Sequence, residues 1–517
     1  MKPISTSTYT FEDLIGGGYV YVDKTADIHV LASQAKGQYF IARPRRFGKS
    51  LLISTLQCLF EGRRELFRGL AIDSLPWDWT PIPVLKLDMG SSQARDGDEL
   101  RVRLSEMMDA AARAENLSFP GDLSSAGKFL FLVEALAAKS PTGRIAILVD
   151  EYDKPLLGLL GKPEVSGVRD ALKAFYSVIK TTEPLQRFVL VTGVSKFSKV
   201  SIFSDLNNLT DLTMDARSTK LLGYTHEEVL ANFPEHLDAL AEIEGTDRSG
   251  AFAKLVKWYD GYHFDAGAPA VFNPVSVGKC LDARRFKNYW FETGTPTFLM
   301  QLLRETPLDL DSPEAPEEAF SVYEPEEPAI LPLLVQTGYL TIKGAESGEN
   351  RTLYRLGFPN QEVSGSFSYH FARSAVGPRA ADLDGFQLRM VRAMKAGDAA
   401  SMLKALKAFF AAIPYEITID AERYYQSLFY AVFLMIGLDI QAEVRTNNGR
   451  IDAVVRVPDY TYVFEFKIKG SSARALEQIR ERRYYERYLG SRDKVILVGA
   501  GFSLKTRNIT RPRIETV

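Results

Sequence analysis

The chain has 517 residues, 46% of them hydrophobic and 25% charged, with a formal net charge of -2. That length exceeds one core and sets a prior of about three domains, while the near-neutral charge excludes a globally basic nucleic-acid coat and confines any DNA or RNA contact to a local patch. Two cysteines far apart in sequence, Cys58 and Cys280, and five scattered histidines exclude a disulfide framework and a cysteine-rich zinc site.

The opening "MKPISTSTYTFEDLIGGGYVYVD" has no apolar core of signal-peptide length. Next comes "GQYFIA", a short β-prone run predicted as a strand. "SLLISTLQCLFEG" places Leu52, Leu56, Leu59 and Phe60 at helical spacing. Between them lies "RPRRFGKS", Arg43 to Ser50, which ends like the phosphate loop G-x-x-x-x-G-K-[ST] but carries Arg43 in the first glycine's slot. A G-K-[ST] tripeptide arises by chance in roughly one chain of this length in four, so context decides. Strand, loop and helix stand in the required order. Amides at the helix start would then hold phosphate oxygens, Lys49 would neutralise the β- and γ-phosphates, and the Ser50 hydroxyl would reach Mg²⁺. Gly48 serves the close approach of backbone to phosphate, and Pro44 already fixes a backbone angle at the entrance.

Further along, "RIAILVDEYD" reads as a buried central strand ending in Asp150 and Glu151. An aspartate there can hold magnesium, and the adjacent glutamate can polarise the attacking water. "RFVLVTGVS" is a third predicted strand, ending in Thr192 and Ser195 where a γ-phosphate-sensing side chain would sit.

The stretch "YVYVDKTADIHVLASQAKGQYFIARPRRFGKSLLISTL" resembles the opening of the AAA-ATPase-like family often fused to a PD-(D/E)XK nuclease-like tail. "VDKT", "RPRRFGKS", "LVDEYDKP" and "SIFSDLNNLTD" are similar to that family's signatures. The resemblance implies nucleotide-binding roles for Gly48, Lys49 and Ser50, with Asp150 and Glu151 at the second motif; the expected nucleotide site also takes in the loop residues Arg43, Arg46, Phe47 and Leu51 and, at the end of the third strand, Thr192. ATP and Mg²⁺, the latter on Ser50 and Asp150, are the implied cofactors. Asp23 and Lys24 match without an evident physical role beyond a contact near the adenine.

From about Gly223 amphipathic helices alternate with aromatic-rich turns, a texture expected of a lid over the nucleotide. "WYDGYHF", with His263, and "VFNPVSV" resemble further family signatures and read as packing corners. "DLDSPEAPEEAFSVYEPEEPAILP" is acidic and proline-rich, as an exposed loop would be. "ILPLLVQTGYLTIKGAESGENRTLYRLGFPN" gives a helix and then a hairpin, the outline of a winged helix that either binds DNA or completes the lid.

"SGSFSYHFARSAVGPRAADLDGF" reads as a connection, followed by helical segments and by "AERYYQSLFYAVFLMIG", whose start carries Glu422 and whose apolar run is far too short to span a bilayer. In "VRTNNGRIDAVVRVPDYTYVFEFKIKG" two predicted strands flank a "PDY" turn. Glu465 and Lys467, two apart, share a face, and a hairpin can bring Asp452 beside them. Two carboxylates can hold Mg²⁺ or Mn²⁺, and a lysine can orient water or offset charge on a phosphate. A helix with Gln478 and a buried strand, "KVILVGA", follow. "GRID", "EFK", "ALEQI" and "VILVGAGF" resemble the PD-(D/E)XK nuclease-like domain, with "ID" replacing "PD". Carried over, Asp452 and Glu465 would bind metal, Lys467 would be catalytic, and Glu422 and Gln478 would support the site. Beyond Ser472, Arg474, Arg480, Arg482, Arg483 and Arg487 interleave with Tyr484, Tyr485 and Tyr488, which suits a nucleic-acid backbone. The bland alternative is a helix laced with Glu–Arg pairs.

The expected fold is α/β. A P-loop ATPase core with a parallel sheet spans 1–222, a helical lid with a winged helix 223–363, a linker 364–384, and a restriction-endonuclease-like α/β domain 385–517. The expected function is a cytoplasmic ATPase whose nucleotide state controls a metal-dependent nuclease acting on DNA. The rival is a nucleotide-controlled DNA-binding or protein-remodelling ATPase with an inactive tail. Arg45 or Arg46 would act as an arginine finger either within the chain or across a subunit boundary, and only the second would make the protein a homo-oligomer.

Overall fold

The structure is a computed structural model. It describes residues 1–196, 208–293, 299–300, 302–303, 313–320, 325–326, 329–348, 351–377, 382–413, 421–436, 439–446, 449–468, 470–483, 485–489 and 493–517. The side chains of 292–293, 421–423, 426, 439–446, 449–452 and 468 lie outside that description. The chain forms two compact units, one of Met1–Glu292 with Glu314–Asn360, the other of Thr293–Pro313 with Gln361–Val517.

The first unit is built on a five-stranded sheet. Its strands are β1 (Gly37–Ala42), β2 (Val84–Asp88), β3 (Ile145–Asp150), β4 (Gln186–Gly193) and β5 (Thr210–Asp211), in the order β2-β3-β4-β1-β5. All pairings are parallel. Every residue of β1 and β3 is buried, as expected for central strands with helices on both faces. The registers bring Ile41 beside Thr192, Ala42 beside Gly193, and Asp88 beside Asp150. The loop after β1 and the polar ends of β3 and β4 therefore meet at the carboxyl edge of the sheet, where open parallel sheets bind ligands.

After this core come helices His226–Asn232, Pro234–Glu244, Arg248–Tyr259 and Pro274–Ala283. The predicted helix-then-hairpin is present as helix Ile330–Gln336 followed by the antiparallel pair β7 (Thr341–Ser347) and β8 (Thr352–Gly357). The acidic, proline-rich segment is not wholly an exposed loop. Within it β6 (Glu314–Pro316) pairs with β8 and completes a three-stranded sheet that buries Ala315, and Phe320 is buried at the end of the short helix Glu317–Phe320.

The second unit holds a mixed sheet of β9 (Asp439–Thr446), β10 (Gly449–Val457), β11 (Tyr460–Ile468), β12 (Lys494–Ser503), β13 (Asn508–Ile509) and β14 (Arg513–Thr516). β9, β10 and β11 are antiparallel neighbours, whereas β11 and β12 run parallel. One face of β11 presents Tyr462, Phe464 and Phe466. Phe466 lies 4.2 Å, centroid to centroid, from Phe429 of helix Ala421–Met435, and Phe464 lies 4.9 Å from Phe433. The other face carries Val463, Glu465 and Lys467 toward helix Ser472–Glu481.

Most of the stretch read as a linker, 364–384, is helical. Gln361–Val376 is one helix with Val363, Phe367, Phe371 and Ala375 buried. Apolar residues four apart outweigh the small polar residues between them.

Candidate active sites

The loop after β1 folds as a phosphate loop should. Gly48 caps helix Lys49–Phe60 at φ 89°, a left-handed conformation that glycine adopts without strain. Gly48, as the cap, has no side chain to occupy that helix start, so the first amides keep the geometry suited to an anion. Ser50 and Leu51 follow Lys49 in the helix's first turn, both half-buried. Lys49 is buried, and its Nζ donates to the carbonyls of Arg43 (2.8 Å) and Pro44 (2.9 Å). Burial pushes its pKa down, while Asp150, Asp153 and Glu151 pull it back up.

Arg43 does not aim its side chain into the loop. Its guanidinium is fully buried and donates to the carbonyls of Ala42 (3.0 Å), Thr213 (2.6 Å) and Ser218 (3.5 Å) and to Ser218 Oγ (3.1 Å). It also lies 4.0 Å over the Phe264 ring. Three carbonyls, the Ser218 hydroxyl and a π-face receive its two Nη groups, while Nε is buried with no hydrogen-bond partner among the described residues, so in the first-glycine slot it braces the loop. Phe47 is likewise an anchor, its ring 4.8 Å from Tyr262 and 5.4 Å from Phe264. Arg46 sits at φ 68° and donates to the Tyr289 carbonyl. Asn273 and Trp290 both donate to the Arg45 carbonyl, at 3.4 and 3.3 Å. "WYDGYHF" and "VFNPVSV" are thus the aromatic and amide props of the phosphate loop, and His263 is a packing residue that contacts the Ala268 carbonyl through Nδ1.

At the tips of β3 and β4, Thr192 Oγ1 donates to Asp150 Oδ1 at 2.7 Å. The Thr192 side chain is fully buried, so its hydroxyl orients Asp150. Glu151 adopts φ 52°, a strained conformation for a residue other than glycine, and its carboxylate lies 3.5 Å from Lys154 Nζ. Asp153, given no role by sequence, is a fully buried carboxylate that accepts from the amides of Val194 and Ser195 and from Ser195 Oγ at 2.6 Å. Burial raises its pKa, and the Ser195 bonds and Lys49 oppose that rise. It ties the end of β4 to the acidic turn after β3. Asp88, beside Asp150 across β2 and β3, also went unread. The signal for Asp153 was an acid just beyond the end of a predicted strand; Asp88 ends β2, a strand that the sequence reading did not place.

Asp23 and Lys24 both bond within the fold. Asp23 accepts from Thr25 and from the Ala71 amide. Lys24 pairs at 2.5 Å with Glu228, which itself closes the capping box of helix His226–Asn232. Most of "SIFSDLNNLTD" lies outside the described residues.

In the second unit Glu465, 1% exposed, accepts hydrogen bonds from Lys467 Nζ (2.9 Å) and from Gln478 Nε2 on helix Ser472–Glu481. The hairpin register runs from Val457–Tyr460 to Ala453–Phe464, and Asp452 and Glu465 are the next residues along their strands. The side chains of Asp452 and Glu422 lie outside the described residues, and so does Tyr484. Of the five predicted tail residues, three are thereby seen together. A buried carboxylate with hard oxygen donors, a lysine on its face and a second acid in register fit a divalent cation.

Among the described residues no helix is long and apolar enough to cross a membrane. Residues 3–203 match the family model described as "Predicted AAA-ATPase", and residues 420–511 match that of the PD-(D/E)XK nuclease superfamily. A curated protein of Azotobacter chroococcum mcd 1, described as "Uncharacterized protein in vnfD 5'region", is 36% identical over 515 residues, covering 97% of this chain and 96% of its own.

Proposed function

We propose, for a chain that belongs to the AAA-ATPase-like family with a PD-(D/E)XK nuclease-superfamily domain, that it binds and hydrolyses ATP in its first unit and cleaves nucleic acid, DNA first of all, in its second. We further propose that the nucleotide state governs cleavage.

The observation that carries the nuclease part is Glu465. A carboxylate buried this deeply, bridging Lys467 and Gln478 on a strand whose next neighbour is Asp452, is a costly arrangement for a merely structural face. The ATP part rests on the Gly48–Lys49 turn standing one strand away from the Thr192–Asp150 bond. In the first unit Ser50 and Asp150 would hold Mg²⁺. Lys49 supplies charge toward phosphate oxygens, and Glu151 orients the water. In the second, Asp452 and Glu465 would hold Mg²⁺ or Mn²⁺, and Lys467 offsets charge on the scissile phosphate. A bound divalent ion supplies polarisation of the phosphate and acidification of its water.

The test is cleavage of plasmid and single-stranded DNA with Mg²⁺ or Mn²⁺, with and without ATP, by the intact chain, Lys467→Ala and Glu151→Gln. The expected result is metal-dependent cutting that Lys467→Ala abolishes and Glu151→Gln alters. Lys49→Ala should lose ATP-analogue binding in calorimetry while metal-dependent cutting persists in altered form. ATP hydrolysis with no cutting under any condition would replace this reading with a nucleotide-controlled binding or remodelling protein.

A further inference from the structure

The basic run after Ser472 is not one uniform patch. Arg480 pairs with Glu515, and Arg483 pairs with Glu486 at 3.2 Å, so those charges are answered within the fold. Two other arginines behave differently. Arg456 on β10 and Arg487 both rest on the Tyr488 ring, their guanidinium carbons 5.0 and 4.9 Å from its centroid. Both arginines are exposed while the ring is buried, and among the described residues neither forms an ion pair. Guanidinium groups stack on aromatic faces because they are planar and weakly hydrated. Two like charges held to one ring still repel, and the phosphates of an anionic backbone beside them relieve that repulsion.

Position supplies the second argument. Val454, two residues before Arg456, packs with Val463, Leu476, Ile479 and Tyr488. Val463 is two residues before Glu465, so Arg456 and Glu465 share one face of the hairpin. Arg456 stands opposite Thr461 in the register. From Thr461 to Glu465 is four residues, about 13 Å at roughly 3.3 Å each. A duplex presents a phosphate about every 3.4 Å on each strand, so that span is about four base pairs.

We infer that Arg456 and Arg487, stacked on Tyr488, are a phosphate clamp that holds the backbone of a nucleic acid about four base pairs from the Glu465–Lys467 site. This rests on the nuclease reading above and goes beyond it by assigning residues outside the acid–lysine group. The clamp reads no sequence. It fixes register, as phosphate contacts do.

The test is fluorescence anisotropy of the full chain with a labelled 30-base-pair DNA duplex, its single strand and a matching RNA strand. Measurements are made in EDTA, so that nothing is cut, across a salt series. The intact chain should bind with a linear dependence of log affinity on log salt. R456Q/R487Q should lower the duplex slope by about 1.8, two contacts at about 0.9 each, and weaken different duplex sequences alike. R456K/R487K should retain most of the slope because the charges remain. R480Q, whose partner is Glu515, should leave the slope unchanged. Binding by the intact chain with an unaltered slope in R456Q/R487Q overturns the clamp and leaves the nuclease reading standing. Equal losses in R480Q and R456Q/R487Q also overturn it, since the effect would then be bulk charge. No binding of any probe by the intact chain overturns both.

Discussion

Arg43 carries its charge into a site with no exposure, and the loop above it depends on where that charge goes. Burial pushes the guanidinium's pKa down to about 9, with Asp211 pulling the other way. What keeps the group there is the set of acceptors on Ala42, Thr213 and Ser218 and the Phe264 face. Truncation would leave buried carbonyls without donors, at about 1–3 kcal/mol each, and a cavity beneath the loop. Arg43→Ala is therefore expected to lower stability by about 3 kcal/mol or more and to weaken ATP-analogue binding. Arg43→Lys should recover only part of the loss, because one ammonium cannot span these acceptors and also stack. Urea denaturation of the nucleotide-free chain checks this, and a lysine variant as stable as the original would contradict it. In the sequence Gly48, Lys49, Ser50 and Asp150 stand out as candidates, because residue type and local context single them out. Arg43 and Asp153 are misplaced or unread there. Their roles depend on segments about 40 to 175 residues away arriving beside them, and no local pattern encodes that meeting.

The same contrast holds for whole elements. "GQYFIA" and "IAILVD" were readable as strands because continuous apolar runs of that length fit a sheet covered on both faces. The two residues of β5 and the three of β6 are too short to carry any period. Helix Ser472–Glu481 was legible from its own spacing, yet its closeness to the sheet was not, since that is set by glycines on another strand. Gly499 stands beside Glu465 in the register. A Cβ there would lie 2.5 Å from the Leu476 amide nitrogen and 2.6 Å from the Ser472 carbonyl oxygen, both backbone atoms that cannot swing aside. Gly499→Ala should therefore lift the helix, cost about 1–3 kcal/mol by overpacking, and draw Gln478 away from Glu465. A fall in metal-dependent cleavage larger than that of Gln478→Ala, together with a lowered melting temperature, is the expected pair of readings. Unchanged cleavage would show that the helix's approach does not matter to the site.

At the scale of the whole molecule, the chain passes between its two units three times, after Glu292, Pro313 and Asn360. A composition shift can suggest a contiguous tail beginning near residue 385, but it cannot reveal a unit assembled from separated pieces. The second unit needs helix Gln361–Val376. That helix packs on Ala421–Met435, with the Phe371 and Tyr424 rings 6.1 Å apart, and it buries Val363, Phe367 and Phe371. At about 1.5–3 kcal/mol for each large apolar side chain, an upper estimate, the three supply roughly 5–9 kcal/mol. That is comparable to the entire net stability of a typical domain. A cut at 385 also removes the first two residues of helix Leu383–Lys395. A fragment of residues 385–517 is therefore expected to lack a cooperative thermal transition, whereas 361–517 should melt cooperatively, with circular dichroism as the readout. If the shorter fragment melts as sharply and as high as the longer one, the helix is dispensable and the second unit's core lies wholly in the mixed sheet and the helices that follow residue 385.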